Sequence, residues 1–355
     1  MSGAIDEYTL RIARVRSTEQ SAFKSETQGA QRAKAKPCGC HEGARKCAAR
    51  SPLPSKLKQR SRPGGQTPYM TIYIATAAIA LLLAILWLLA TSPGPGRRER
   101  MEAFSKKMIA HRGLHNNKGD APENSLLAFQ KAVEAGYGIE LDVRETKDGA
   151  LVVCHDDYLK RVAGLKKKIS QMTLADVQKV KLYKSEQTIP TFREVLSVIG
   201  GRVPLVVEVK IESVRNAPRI SEKVAALLDE YQGTTCMESF NPAVVRWFRK
   251  NRPEMLRGQL SDQFKKEHKF PDCILMFLFS CCFFNFLTKP DFIAYRFTCA
   301  DLLRFRLLHG FHHACCAGWT IRSEEDLKTA SRDFDVIIFD SFIPAGGCER
   351  KMDQC

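Results

Sequence analysis

Two histidines, three carboxylates, an arginine and a lysine could do chemistry together in this chain. His111-Arg112 follows a short apolar run, Met108-Ile109-Ala110, and His155-Asp156 follows another, Leu151-Val152-Val153-Cys154. Glu140 and Asp142 lie two apart in a run that reads as a strand, as do Glu208 and Lys210. Side chains at i and i+2 share one face of a strand. Each pair therefore points one way, with Leu141 and Val143, or Val207 and Val209, pointing the other. Three inward carboxylates are costly unless their charge is compensated. A hard divalent cation with oxygen ligands supplies that compensation; the alternative is an internal salt-bridge network without a metal. Arg112 and Lys210 add positive charge beside such a cation, which suits a phosphate. Histidines on opposite sides of a phosphate can serve as general base and general acid.

The elements that must position these groups alternate in type. A helix from about Ser125 to Ala135 is broken by Gly136 and Gly138, and a strand over Tyr137–Val143 follows. Lys147-Asp148-Gly149 reads as a turn into the strand that ends at His155. Further strands are expected over Pro204–Lys210, Thr234–Phe240, Leu256–Ser261, Asp291–Phe297, Ala314–Ile321 and Val336–Phe339. Helices are expected from Thr191 to Ile199, Ala217 to Tyr231 and Pro242 to Lys250, with Ser323 capping the last one. Eight or nine strands with intervening helices in about 250 residues point to a parallel TIM (β/α)8 barrel. In such barrels the chemistry sits at the C-terminal ends of the strands, where all the polar groups named above fall.

The formal charge of +16 is concentrated at the start: residues 1–69 hold 14 lysines and arginines against 5 acids. The remainder is only mildly basic, which argues against a nucleic-acid enzyme and for a basic tail near an anionic surface. That tail is polar and is expected to be disordered. Its Cys38, Cys40, His41 and Cys47 do not have standard zinc spacing. If translation starts at Met70, the tail does not exist. Residues 70–91 carry no charge and would rise about 33 Å as a helix, enough to cross a ~30 Å hydrocarbon core. A single-pass membrane anchor is expected there, rather than a cleaved signal peptide. Lys56, Lys58, Arg60 and Arg62 precede it, and Arg97, Arg98, Arg100, Lys106 and Lys107 follow it; if Met70 is the start only the later cluster counts, and the positive-inside rule then places the C-terminal domain in the cytoplasm. Thirteen cysteines without framework spacing agree with free thiols in a reducing compartment. Residues 273–287 are almost wholly apolar but too few for a span; they read as a buried connecting helix or as a surface element dipping into the membrane.

His111-Arg112-Gly113, Pro122-Glu123-Asn124-Ser125, Glu140-Leu141-Asp142, Lys147-Asp148-Gly149 and His155-Asp156 resemble, in this order, the glycerophosphodiester phosphodiesterase family. Glu208-Val209-Lys210, Ser239-Phe240-Asn241-Pro242 and Trp319-Thr320 continue the pattern. The resemblance covers about residues 108–345 and is to membrane-anchored bacterial-type members. It implies a TIM barrel, a divalent metal (Ca²⁺ or Mg²⁺), and hydrolysis of glycerophosphodiesters to sn-glycerol 3-phosphate and an alcohol. By the same resemblance His111 and His155 are the acid/base pair, and Arg112 and Lys210 hold the phosphate. Glu140, Asp142 and Glu208 hold the metal, and Trp319 packs against the glycerol side. A glycerol hydroxyl would attack phosphorus before water does. Phe339-Asp340-Ser341-Phe342 departs from the commoner Thr-Asp-x-Pro ending, so no role follows for Asp340. The expected organisation is a tail over 1–69, the anchor over 70–91, a linker over 92–107, the barrel over 108–345 and a tail over 346–355. Expected partners are a glycerophosphodiester or lysophospholipid substrate and membrane lipid, with no nucleic acid. The alternative activity is a lysophospholipase D on the same barrel; a catalytically dead headgroup sensor is the non-enzymatic one.

Overall fold

Short apolar runs, with polar residues mostly towards their C-terminal ends, form the staves of a closed barrel buried on both faces. The computed structural model describes residues 68–94, 98–263 and 272–349. Its strands are β1 (Met108–His111), β2 (Gly138–Glu145), β3 (Leu151–Val153), β4 (Leu205–Val209) and β5 (Thr235–Ser239). They continue with β6 (Leu256–Ser261), β7 (Phe292–Arg296), β8 (Cys315–Ile321) and β9 (Val336–Phe339). The order β1-β9-β8-β7-β6-β5-β4-β2 is closed by pairing of β1 with β2, and every pairing among these eight is parallel. This is the eight-stave TIM barrel. One correction concerns β3. The strand ending before His155 is not a stave, because it pairs antiparallel with β2 through the Lys147-Asp148-Gly149 turn. A tight turn can join only antiparallel neighbours; a parallel stave needs a crossover of a dozen or more residues.

The staves bury both faces. Outward-facing Ile139, Leu141, Val143, Val207 and Val209 pack against Phe129, Val195 and Phe248 of the surrounding helices. Inward-facing Ile109, Val206, Cys236, Leu256, Phe292, Cys315 and Val336 fill the N-terminal end. Met101 and Phe104 close that floor from below. The expected linker is therefore partly structured, since Arg98–Met101 and Glu102–Ser105 are helical turns. The chain beyond the last stave also packs back: Met108 N–H donates to the Cys348 carbonyl at 2.9 Å, and Lys107 pairs with Glu349.

Eight segments have helical character that matters for the site and its surroundings. They are α1 (Pro68–Thr91), α2 (Leu126–Glu134), α3 (Phe192–Ile199), α4 (Ala217–Glu230), α5 (Pro242–Asn251), α6 (Asp272–Ser280), α7 (Asn285–Thr288) and α8 (Glu324–Ala330). Ser125, Thr191, Asn241 and Ser323 accept backbone hydrogen bonds as N-caps, each where a side-chain oxygen can satisfy an orphan N–H. The apolar stretch 273–287 is two helices, not one. They are separated near Cys282, whose φ of +53° interrupts helical geometry. Met276, Phe279, Cys281 and Cys282 are buried, while Ile274, Phe277 and Phe286 are about half exposed. From Leu86 onward the chain belongs to the compact unit that contains the barrel; α1 up to Ile85 belongs to another. Within α1, Tyr69–Thr91 is 23 residues of mean hydropathy 2.6, long and apolar enough to cross a membrane. The cysteines and histidine at 38–47, and nearly all of the basic tail, lie outside the described residues.

Candidate active site

The chain turns sharply where β1 ends. Arg112 and Gly113 both have positive φ, +60° and +82°. A Cβ on Gly113 would meet the Ala128 backbone at 2.9 Å, so only glycine lets α2 approach this closely. The turn throws the His111 imidazole and the Arg112 guanidinium over the barrel mouth. Arg112 N–H donates to the Glu140 carbonyl at 2.9 Å, which ties the turn to β2. The guanidinium is buried, with Nη1 2.7 Å from Glu123 and Nε 3.3 Å from Asp142.

Parallel register brings the acids together. His111 lies beside Glu140, Asp142 beside Glu208, and Glu208 beside Glu238. Ligand atoms of Glu140, Asp142 and Glu208 all fall within 4.8 Å of one another, and all three residues are buried. Lys210 Nζ lies 3.0 Å from Asp142 Oδ1 and 2.7 Å from Glu208 Oε1. The Asn124 amide donates to Asp142 Oδ2 at 2.9 Å. Burial, Asp142 and Glu208 push the Glu140 carboxyl well above the usual carboxylate range. Asp142, despite its burial, is held well below that range by Lys210, His155 and Arg112. Glu238 is raised by burial and by Glu208, and its Oε2 has no hydrogen-bond partner. With every acid ionised, the set would carry more negative charge than Lys210 and Arg112 offset, and its acids offer oxygen donors alone. That donor chemistry fits a hard divalent cation such as Ca²⁺ or Mg²⁺.

Each histidine is aimed by a carboxylate. His111 Nδ1 lies 3.3 Å from Asp340 Oδ2, and its Nε2 faces Glu140 Oε2 at 3.8 Å. His115 Nε2 approaches the other oxygen of Asp340 at 3.0 Å. His155 Nδ1 lies 2.6 Å from Asp156 Oδ1, and Asp156 Oδ2 accepts from Arg161 Nε at 2.6 Å. An ionised carboxylate only accepts, so Nδ1–H is the donor in both pairs and Nε2 is left for other partners. Asp340, despite burial, is held far below the carboxylate range by His111 and His115; Asp156, likewise buried, by His155 and Arg161. Burial and the nearby Arg112 bring the His111 imidazole down to about 4. Burial, Arg112 and Lys210 push His155 well below its ordinary value. Both imidazoles are thus neutral at neutral pH. Beyond them, Glu123 joins the two halves by accepting from Arg112, Asn117, both terminal nitrogens of Arg161, and Tyr183.

All seven polar residues singled out from sequence converge on this mouth. Glu140 and Asp142 project from β2, Glu208 projects from β4, and Lys210 follows the end of β4. His155 arrives differently from expectation: the β3 hairpin folds it over the mouth, because its strand is not a stave. Trp319 sits on β8, edge-on to Phe240 at 5.8 Å and 5.4 Å from the Arg296 guanidinium, on another sector of the rim. Sequence reasoning quoted Glu123, Asn124 and Asp156 within motifs and weighed Asp340 without giving any of them a role; it did not single out His115, Arg161 or Glu238. Glu238 had a signal, since strand alternation places it inward with Cys236 and Phe240.

The glycerophosphoryl diester phosphodiesterase family model matches residues 111–342. The chain is 33% identical over 159 residues to a glycerophosphodiester phosphodiesterase of Bacillus altitudinis, covering 42% of this chain and 64% of that protein. It is 35% identical over 164 residues to one from Caldanaerobacter subterraneus subsp. tengcongensis, covering 43% and 65%. These matches span just under two thirds of the length of the curated relatives. A solved Oleispira antarctica phosphodiesterase, in complex with the product sn-glycerol-3-phosphate, shares the fold with a TM-score of 0.53. That likeness is at 23% identity and covers 67% of this chain and 94% of that one.

Proposed function

The chain belongs to the glycerophosphoryl diester phosphodiesterase family, and from that premise we propose that it hydrolyses glycerophosphodiesters to sn-glycerol 3-phosphate and an alcohol. The observation that carries this reading is the mouth itself: three acids within 4.8 Å, two cations and two carboxylate-aimed histidines. Glu140, Asp142 and Glu208 would hold a divalent cation, Ca²⁺ or Mg²⁺. When bound, that ion supplies Lewis-acid polarisation of a phosphoryl oxygen.

The chain's own residues do the rest. Arg112 and Lys210 receive the phosphate, and Glu123 and Asn124 keep Arg112 and Asp142 in place. One neutral imidazole takes a proton at Nε2 from the attacking hydroxyl; the other gives a proton to the departing alkoxide. The arriving phosphate anion favours the protonated form of whichever histidine acts as acid, because opposite charge raises an imidazole pKa. With two similar imidazoles the roles can exchange between an attack by the glycerol hydroxyl and an attack by water. Trp319 offers an apolar wall for the glycerol side.

In this reading residues 1–69 are a basic tail, 70–91 a single membrane span, 92–107 the connection and 108–345 the catalytic barrel, with 346–355 a tail. With Met70 as the start, only Arg97, Arg98, Arg100, Lys106 and Lys107 flank the span, and the barrel is then on the cytoplasmic side. A lysophospholipase D activity is the second reading. It is favoured by the apolar helix, which would keep the site beside acylated substrates. The test is a substrate panel on the detergent-solubilised chain, with and without chelator. Release of sn-glycerol 3-phosphate from glycerophosphocholine, lost on chelation and in His111→Ala and His155→Ala, is expected. Undiminished turnover in those variants would sink the reading, and choline release from lysophosphatidylcholine alone would shift it to the second.

A further inference from the structure

The last turn of α1 is built into the barrel wall, and it lies there in one direction. Gly94 N–H donates to the Pro290 carbonyl at 2.9 Å, and Lys289 Nζ to the Ser92 carbonyl at 3.1 Å. The Asn285 amide donates to the Thr91 carbonyl at 2.7 Å, and Thr91 Oγ1 meets His312 Nε2 at 3.1 Å. Higher up, the Trp87 ring lies 5.4 Å from Phe283 and 6.0 Å from Phe277. Pro290 stands just before β7 begins, at the barrel floor. The C-terminal end of α6 stands at the opposite level: Ser261, the last residue of β6, donates to the Phe279 carbonyl, and Tyr295 donates to the Ser280 carbonyl. Followed from Gly94 back to Trp87, the docked segment thus climbs from the floor towards the mouth.

Around this segment the barrel exposes a run of apolar side chains. Ile274 and Phe277 are 50% and 52% exposed, and they share one face of α6 at i, i+3. Phe286, 44% exposed, touches Phe283, which in turn touches Trp87. A contiguous apolar surface of this kind marks a contact site. Its continuity with the docked end of an apolar helix long enough to span a bilayer identifies the occupant.

We propose that the Ile274–Phe277–Phe286 face is a lipid-contact surface of the barrel itself. The proposal rests on the reading of α1 as a membrane span. It adds that α6 and α7, which are too short to cross, lie in the interface.

The test places a fluorescent side chain on the face. The full chain carrying Ile274→Trp, or Phe277→Trp as an independent second probe, is reconstituted in phosphatidylcholine vesicles with and without shallow brominated acyl chains. Glu230→Trp, at the floor end of α4, is the reference. The added emission at 274 and 277 is expected to fall by at least about half in brominated vesicles, as for side chains buried about 5–10 Å into the interface; that at 230 is expected to be unchanged. Equal quenching at 274, 277 and 230 in chains that stay with carbonate-washed vesicles overturns the proposal while leaving the span intact. Chains washed off by carbonate refute the span, and the proposal with it. An unquenched face, with an Ile274→Asp/Phe277→Asp variant that turns a detergent dimer into a monomer, overturns it in favour of a second copy. None of these readouts uses turnover, so they are independent of the proposed reaction.

Discussion

Replacing Asp340 by asparagine tests whether the histidines act through their carboxylates. Asp340 accepts from His111 Nδ1 at 3.3 Å and sits 3.0 Å from His115 Nε2. Asparagine keeps one carbonyl oxygen and turns an NH₂ towards the other ring, so one of the two contacts is lost or must flip. A charge-assisted hydrogen bond contributes about 1.5–3 kcal/mol. Losing one that orients His111 should lower kcat/KM by roughly 10- to 150-fold. The sign of the protonation change is also set. Asp340 favours the imidazolium form of His111, so its neutralisation should move the His111 titration below about 4. Two assays check this: sn-glycerol 3-phosphate release from glycerophosphocholine at saturating metal, and NMR titration of the labelled imidazole. A variant with unchanged Tm, full kcat/KM and an unmoved His111 titration would refute the assignment of Asp340 as the group that orients His111.

Other outcomes follow from the same geometry. A bound divalent cation relieves the repulsion among Glu140, Asp142 and Glu208, so at 100-fold excess over Kd it should add about 2.7 kcal/mol. That raises Tm by ~5–10 °C over the chelated protein, and Glu140→Gln should lose most of the gain in a thermal scan. Arg112→Lys cannot keep the paired contacts to Glu123 and Asp142, and kcat/KM should fall by about 10²-fold or more; steady-state kinetics checks it. Gly113→Ala forces a Cβ into the Ala128 backbone at positive φ. It should cost about 2–4 kcal/mol, a Tm loss of ~5–15 °C. His111 and His155 are buried neutral, so their contribution to stability is full above about pH 6.5; that of His111 is lost as pH falls towards about 4, and that of His155 is likewise lost on acidification. A pH series of Tm values checks this, with His111→Asn expected to flatten the slope.

Much of this was legible in the residue string because strand periodicity is local. Glu140 with Asp142, and Glu208 with Lys210, need only the i, i+2 rule to be placed on one face. The stave boundaries followed from apolar runs closed by Gly, Pro and capping residues, and Val336–Phe339 was found without error. What escaped depended on which strands become neighbours. Nothing local says that β9 lies against β1, and only that adjacency brings Asp340 to His111 across 229 residues. Arg161 and Glu123 meet 38 residues apart because the β3 hairpin folds over the mouth, a placement that its alternation does not reveal. The 273–287 stretch looked like one element because its composition is uniform. A single positive φ at Cys282 divides it.

Met101 and Phe104 stopper the lower end of the barrel, and this makes it a vessel with one doorway. Among the described residues the lower end is packed shut, so in the proposed reaction spent alcohol leaves by the mouth through which the ester came in.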